Sequence, residues 1–107
     1  MSEVAAVLAK AVLELPVGWL ATNPSLPAVR RALRETSALL TEELGVAGID
    51  TDSLPYTVRE AVMDVHRAAA GVDPRGGSLR MQAIGVSGGL SKALALDVMG
   101  AFAPVGG

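Results

Sequence analysis

Apolar positions recur at three- and four-residue spacing along most of this chain, which predicts amphipathic helices. The first such segment covers residues 1–15, helical from Glu3, and is rich in Ala, Val and Leu. Its apolar residues run most of the way round, with Lys10 and Glu14 as an i,i+4 pair marking a polar edge. A helix of this kind wants cover on more than one side. Either a neighbouring subunit supplies that cover, or the helix is the centre of the chain's own core. Residues 16–25 read as a loop in which Trp19 plugs the core or sits at an interface.

A second helix is predicted over 26–45. Leu26, Val29, Leu33, Leu40 and Leu44 share a stripe, with Thr36 and Ser37 filling the missing turn. Pro27 falls in the first turn, Arg31 and Glu35 form an i,i+4 pair, and Gly45 ends the helix. A third helix is predicted over 54–71. Ser53 serves as N-cap, Pro55 stands near the first helical position, and Val58, Ala61, Val62, Val65 and Ala69 form the buried stripe. Gly71 is the left-handed residue that closes it. Residues 73–77 are turn chemistry.

The pattern then changes. Over 78–89, Leu79, Met81 and Ala83 alternate with Arg80 and Gln82, which predicts an extended segment punctuated by Gly85, Gly88 and Gly89. Ser91 is the N-cap of a last helix over 91–102, and 103–107 reads as a tail. The fold class is therefore mostly α. One domain over 1–107 holds a small bundle of about four helices, with a glycine-rich extended loop or short strand between the third and fourth.

Composition narrows this only a little. Half of the 107 residues are apolar, but the aromatics are Trp19, Tyr56 and Phe102 alone, so the core is built from Leu, Val, Ala and Met. The net charge of −2 gives no general drive towards nucleic acid or an anionic membrane. Residues 1–53 hold four Lys/Arg against seven Asp/Glu, and residues 54–107 five against four. That asymmetry is too small to name a partner. Without Cys there is no disulfide framework and no thiolate zinc site. Residues 4–20 are apolar, but Lys10, Glu14, Pro16 and Gly18 interrupt them, so they suit neither a spanning helix nor a signal peptide.

Candidate chemistry is sparse. Gly85-Val86-Ser87-Gly88-Gly89 matches G-x-S-x-G, yet the chain is too short for an α/β-hydrolase and its one histidine, His66, precedes the serine. The run lacks the Gly-Lys-Ser/Thr of a P-loop. A lone His66 cannot make a zinc site, and Glu60, Asp64 and Arg67 read as a solvated charge network. No catalytic, cofactor or metal residue is assigned, and no enzymatic activity is expected. Arg30, Arg31 and Arg34 form a basic cluster, either a solvated face or a contact for phosphate or an acidic partner.

The order of elements resembles the head–tail connector (adaptor, or head-completion) proteins of long-tailed bacteriophages. The similarity lies in Leu54-Pro55-x-x-Val58-Arg59-x-Ala61-Val62 opening a helix, then a turn with Pro74 and Gly76. Arg80, Gln82, Ile84, Gly85 and Ser87 follow, similar to that family's Arg-Ser-Glu-x-Ile-Gly-Asp-x-Ser stretch. It covers roughly residues 26–102. The chain departs at Val86, where the family commonly has an acidic residue, and at Gln82 in place of Glu.

The resemblance implies a structural virion protein at the head–tail interface, assembled in the bacterial host cytoplasm. Many copies would form a homo-oligomeric ring between the portal protein and the stopper or tail-side proteins. DNA would pass through the channel without sequence-specific binding, and no cofactor or membrane is involved. Trp19, Arg80, Met81, Gln82, Ile84, Gly85 and Val86 would lie at subunit or partner interfaces. Arg30, Arg31 and Arg34 would face the channel or an acidic neighbour. The alternative is a small cytosolic helical regulatory or partner-binding protein, dimeric through its first helix.

Overall fold

The N-terminal helix α1 spans Glu3–Glu14 in the computed structural model, which describes residues 2–72 and 77–102. Ser2 caps it, its hydroxyl accepting from the Ala5 amide at 3.0 Å. Ala5, Val7, Leu8 and Ala11 are buried, and Leu15 follows them into the core. The outer side keeps Lys10, Leu13 and Glu14 exposed. The helix is thus one wall of the bundle and not its centre. Lys10 does not pair with Glu14. It reaches across to Glu43 on the next long helix at 3.1 Å, a surface pair that contributes about 0–1 kcal/mol.

The expected loop after α1 contains a single helical turn, α2 (Val17–Leu20), which buries Leu20 and lays Trp19 half-buried against the core. Helix α3 spans Leu26–Val46, capped by Ser25 with Pro27 in its first turn. Val29, Ala32, Leu33, Thr36, Leu40 and Leu44 are buried, whereas Leu26 is exposed. Thr36 is accommodated because its hydroxyl donates to the Ala32 carbonyl one turn back, at 2.6 Å. Arg31 and Glu35 make no ion pair among the described residues.

Gly45 lies inside α3 and does not end it. The left-handed residue is Gly48, three positions on. The Gly48 amide bonds the Gly45 carbonyl and the Ile49 amide the Leu44 carbonyl, the paired closure of a Schellman motif. Gly71 ends the next helix by the same bonds, as expected from its position.

That helix, α4, spans Tyr56–Ala69 with Pro55 at its N-cap position. Ser53 is not the cap. It closes a 3₁₀ turn over Thr51–Ser53, itself capped by Asp50, and its hydroxyl donates to the Asp50 carbonyl. A residue before proline is driven out of the helical region, so Leu54 is extended at ψ 148° and separates Ser53 from the helix. Val58, Ala61, Val62, Val65 and Ala68 face inward.

The largest departure comes next. Residues 78–89 are neither a strand nor a loop, and Ser91 caps nothing. Helix α5 runs unbroken over Leu79–Val98, with Ser78 as its cap, its hydroxyl accepting from the Met81 amide at 3.2 Å. Ala83, Val86, Ser87, Leu90 and Ala93 are buried at three- and four-residue spacing. This helical period outcompetes the short alternation Leu79–Met81–Ala83. Each mid-helix glycine costs about 1 kcal/mol relative to alanine, and the burial of this inner face offsets it. Of the turn expected over 73–77, residues 73–76 lie outside the described residues, as does the tail over 103–107.

The architecture is a bundle of four long helices, α1, α3, α4 and α5, with no strand among the described residues. Neighbouring pairs are α1·α3, α3·α4, α4·α5 and α5·α1, and α5 also packs against α3 and α2. It therefore packs against each of the other four helices. Four side-chain hydrogen bonds fix it antiparallel to α1 and the segment that follows. The Ser2 hydroxyl donates to Asp97, the Ser87 hydroxyl donates to the Leu15 carbonyl at 2.7 Å, and Arg80 donates twice to the Pro24 carbonyl.

Candidate functional site

Two surface features stand out, both built on α5. The first is its outward face. Met81, Gly85, Gly88, Lys92, Ala95 and Met99 alternate at spacings of four and three, the seam of an α-helix, and all are exposed. Ile84 and Val98 flank the seam, and Met81, Val98 and Met99 are each more than 60% exposed. A Cβ added to Gly85 or Gly88 would meet nothing within 4 Å. Their lack of a side chain therefore serves no packing inside the chain, yet it costs helix stability.

The second feature is a cleft of about 260 Å³ between α3, the end of α4 and the first turns of α5. Arg30 and Arg34 stand one turn apart on α3 along one wall, and Gln82 stands on α5. Ala68, Ala69 and Leu79 supply the apolar lining. Arg31 lies about 100° further round the helix and does not line it. The basic cluster is thus divided: all three arginines are exposed, but only Arg30 and Arg34 line the cleft.

The residues expected at an interface are likewise divided. Met81, Ile84 and Gly85 lie on the outward face of α5. Val86 does not; it is part of the buried core. Arg80 is half-buried and turned onto the Pro24 carbonyl, and Gln82 donates to the Gly77 carbonyl at 3.1 Å. Trp19 packs on the core. Met99, Val98 and Ala95 complete the face and went unnoticed in the sequence, because an extended 78–89 placed them on a different element.

Ser87 and His66 make no hydrogen bond to each other, and each is paired elsewhere. Ser87 is fully buried mid-helix, its hydroxyl committed to the Leu15 carbonyl that the end of α1 leaves free. His66 sits on α4 with Nδ1 2.6 Å from the Ser37 hydroxyl on α3. Burial lowers its pKa below the ordinary 6.5. Arg67 bridges Glu60 at 3.6 Å and Asp64 at 3.0 Å, as the charge network predicted. Among the described residues, no cluster of His, Asp and Glu could hold a metal ion, and no helix is long and apolar enough to cross a membrane.

Compared with known proteins, the chain matches no family model, no curated protein and no solved structure.

Proposed function

We propose that this chain is a structural subunit that works by associating with copies of itself, in the manner of a bacteriophage head–tail connector. The observation that carries the reading is the outward face of α5. Two exposed glycines, each costing the helix about 1 kcal/mol with no return inside the chain, lie between exposed Met81, Ile84, Val98 and Met99. A face of this kind gains from the close approach of another helix, which small residues permit and methionines adapt to. The order of helices and the Leu54-Pro55 step into α4 support the connector form. In that form the chain is a virion protein. Copies of it form a ring between the portal and the stopper or tail-side proteins, through contacts that close by rotation. No extended arm reaches a neighbour from 78–89, so helix faces must make those contacts.

The seam also favours a second reading, a two-fold dimer. About Leu90 the seam matches its own reverse: Met81 falls opposite Met99, Gly85 opposite Ala95, and Gly88 opposite Lys92. An antiparallel pair of α5 helices would set the Lys92 stem over the bare backbone of Gly88. A partner-binding dimer through α5, in place of the first helix, follows from that match.

Light scattering of the purified chain, alone and mixed with candidate portal rings, tests both. A chain that is monomeric alone and joins portal rings in stoichiometric number supports the connector. A tight dimer indifferent to every portal overturns it and leaves the second reading. A monomer that binds no portal at any concentration removes both.

A further inference from the structure

The geometry points to the cleft between α3 and α5 as a binding site for a small oxyanion, a phosphate or carboxylate group held by Arg30 and Arg34. Arg30 and Arg34 are spaced i,i+4 on one face of α3, and both line the cleft. Like charges at this spacing destabilise a helix, so the pair needs a counter-charge. The described residues supply none, since neither arginine makes an ion pair or a side-chain hydrogen bond. The carboxylates of Glu60 and Asp64 on α4 are engaged by Arg67.

Helix termini do not change the balance. The C-terminal end of α4 brings roughly half a negative charge and the N-terminal end of α5 roughly half a positive one, which cancel against each other, so that among the described residues the two guanidiniums stay in excess. The Schellman closure at Gly71 satisfies the Arg67 and Ala68 carbonyls, so they do not compete as acceptors.

The chemistry of the walls selects the ligand. Guanidinium forks match the geometry of carboxylate and phosphate oxygens. The Gln82 amide spends one N–H on the Gly77 carbonyl and keeps its second. Ala68, Ala69 and Leu79 give the cleft an apolar side against which a short carbon chain could lie. At about 260 Å³ the cleft lies just below the range of drug-sized ligand pockets. It therefore suits an anionic headgroup with a few carbons. The site rests on none of the argument for self-association.

The test is a nuclear magnetic resonance titration of the full chain with inorganic phosphate and, separately, with succinate, at constant ionic strength. The expected result is saturable shifts confined to Arg30, Arg34, Gln82 and their neighbours, weakening as salt rises. Loss of each guanidinium should weaken binding about tenfold. Arg30→Gln with Arg34→Gln should therefore abolish the response, whereas Arg31→Gln should leave it intact. If the double variant does not fold, Arg34→Lys keeps the charge, loses the fork, and should still weaken binding. Whichever anion binds tighter names the ligand as phosphoryl or carboxylate. Shifts that never saturate, that spread equally to Arg31 and Lys92, or that persist in the double variant overturn the site.

Discussion

Ser87 carries more of the fold than its place in a glycine-rich run would imply. It sits fully buried on α5 and answers the Leu15 carbonyl at the end of α1, 72 residues earlier. Ser87→Ala leaves that buried carbonyl without its partner, which costs about 1–3 kcal/mol. Exposed Ser91→Ala on the same helix should stay within about 0.5 kcal/mol. Urea unfolding of the two variants, compared by midpoint, checks this. His66 gives a second residue-level expectation. Its folded-state pKa lies below the ordinary 6.5, because desolvation penalises the imidazolium. The unfolded chain therefore takes up the proton first on acidification. Its contribution should be constant above pH 6.5 and turn destabilising as pH falls from there through the lower folded value. Urea midpoints between pH 8 and pH 5 should fall more steeply for the natural chain than for His66→Gln.

At the scale of elements, α5 shows how two periods compete within one stretch. Residues 79–83 offer an alternating pattern, and three nearby glycines disfavour both helix and strand. Over a longer window, Ala83, Val86, Leu90 and Ala93 follow the helical period, and that window spans the whole bundle. A short alternation has no partner strand here, and a lone strand leaves its backbone groups unpaired. A helix satisfies them within itself. The same glycines separate folding from association. Gly85→Ala and Gly88→Ala meet no neighbour inside the chain. Each should raise helix stability by about 0.5–1 kcal/mol. If the face is an association surface, the same substitutions should weaken self-association, because the added methyl groups hold the helices apart. Thermal unfolding of dilute protein reads the first effect, and sedimentation at rising concentration the second.

For the whole molecule, the question is what covers α5. Burying a methionine on association is favourable by roughly 1.5–3 kcal/mol, so the exposed Met81 and Met99 weigh heavily in any contact along the seam. Met81→Glu with Met99→Glu should leave the monomer folded, since both side chains are solvent-facing, and should move any oligomer to monomer in light scattering. Retention of the oligomer would place the contact elsewhere, with Leu13 on α1, Val46 at the end of α3 and Tyr56 at the start of α4 among the other large exposed side chains.

The sequence by itself determined the helices whose inner stripe is continuous. Three of the four long helices were legible to within a few residues: α1, α3 with Ser25 and Pro27 at its start, and α4 with Gly71 at its end. Local caps and a single unbroken period suffice for these. It also located the arginine cluster and the residues Met81, Ile84 and Gly85, but not their arrangement. Tertiary structure decided the rest, because the deciding contacts join residues far apart in the chain. The core on α1, α3 and α4 turned 79–98 into one helix, and the antiparallel match of α5 to α1 placed Ser87 inward. Docking of α5 against α3 brought Gln82 to Arg30 and Arg34 and left Arg31 outside. No spacing within a single segment encodes any of these, since each depends on which faces of two distant helices meet.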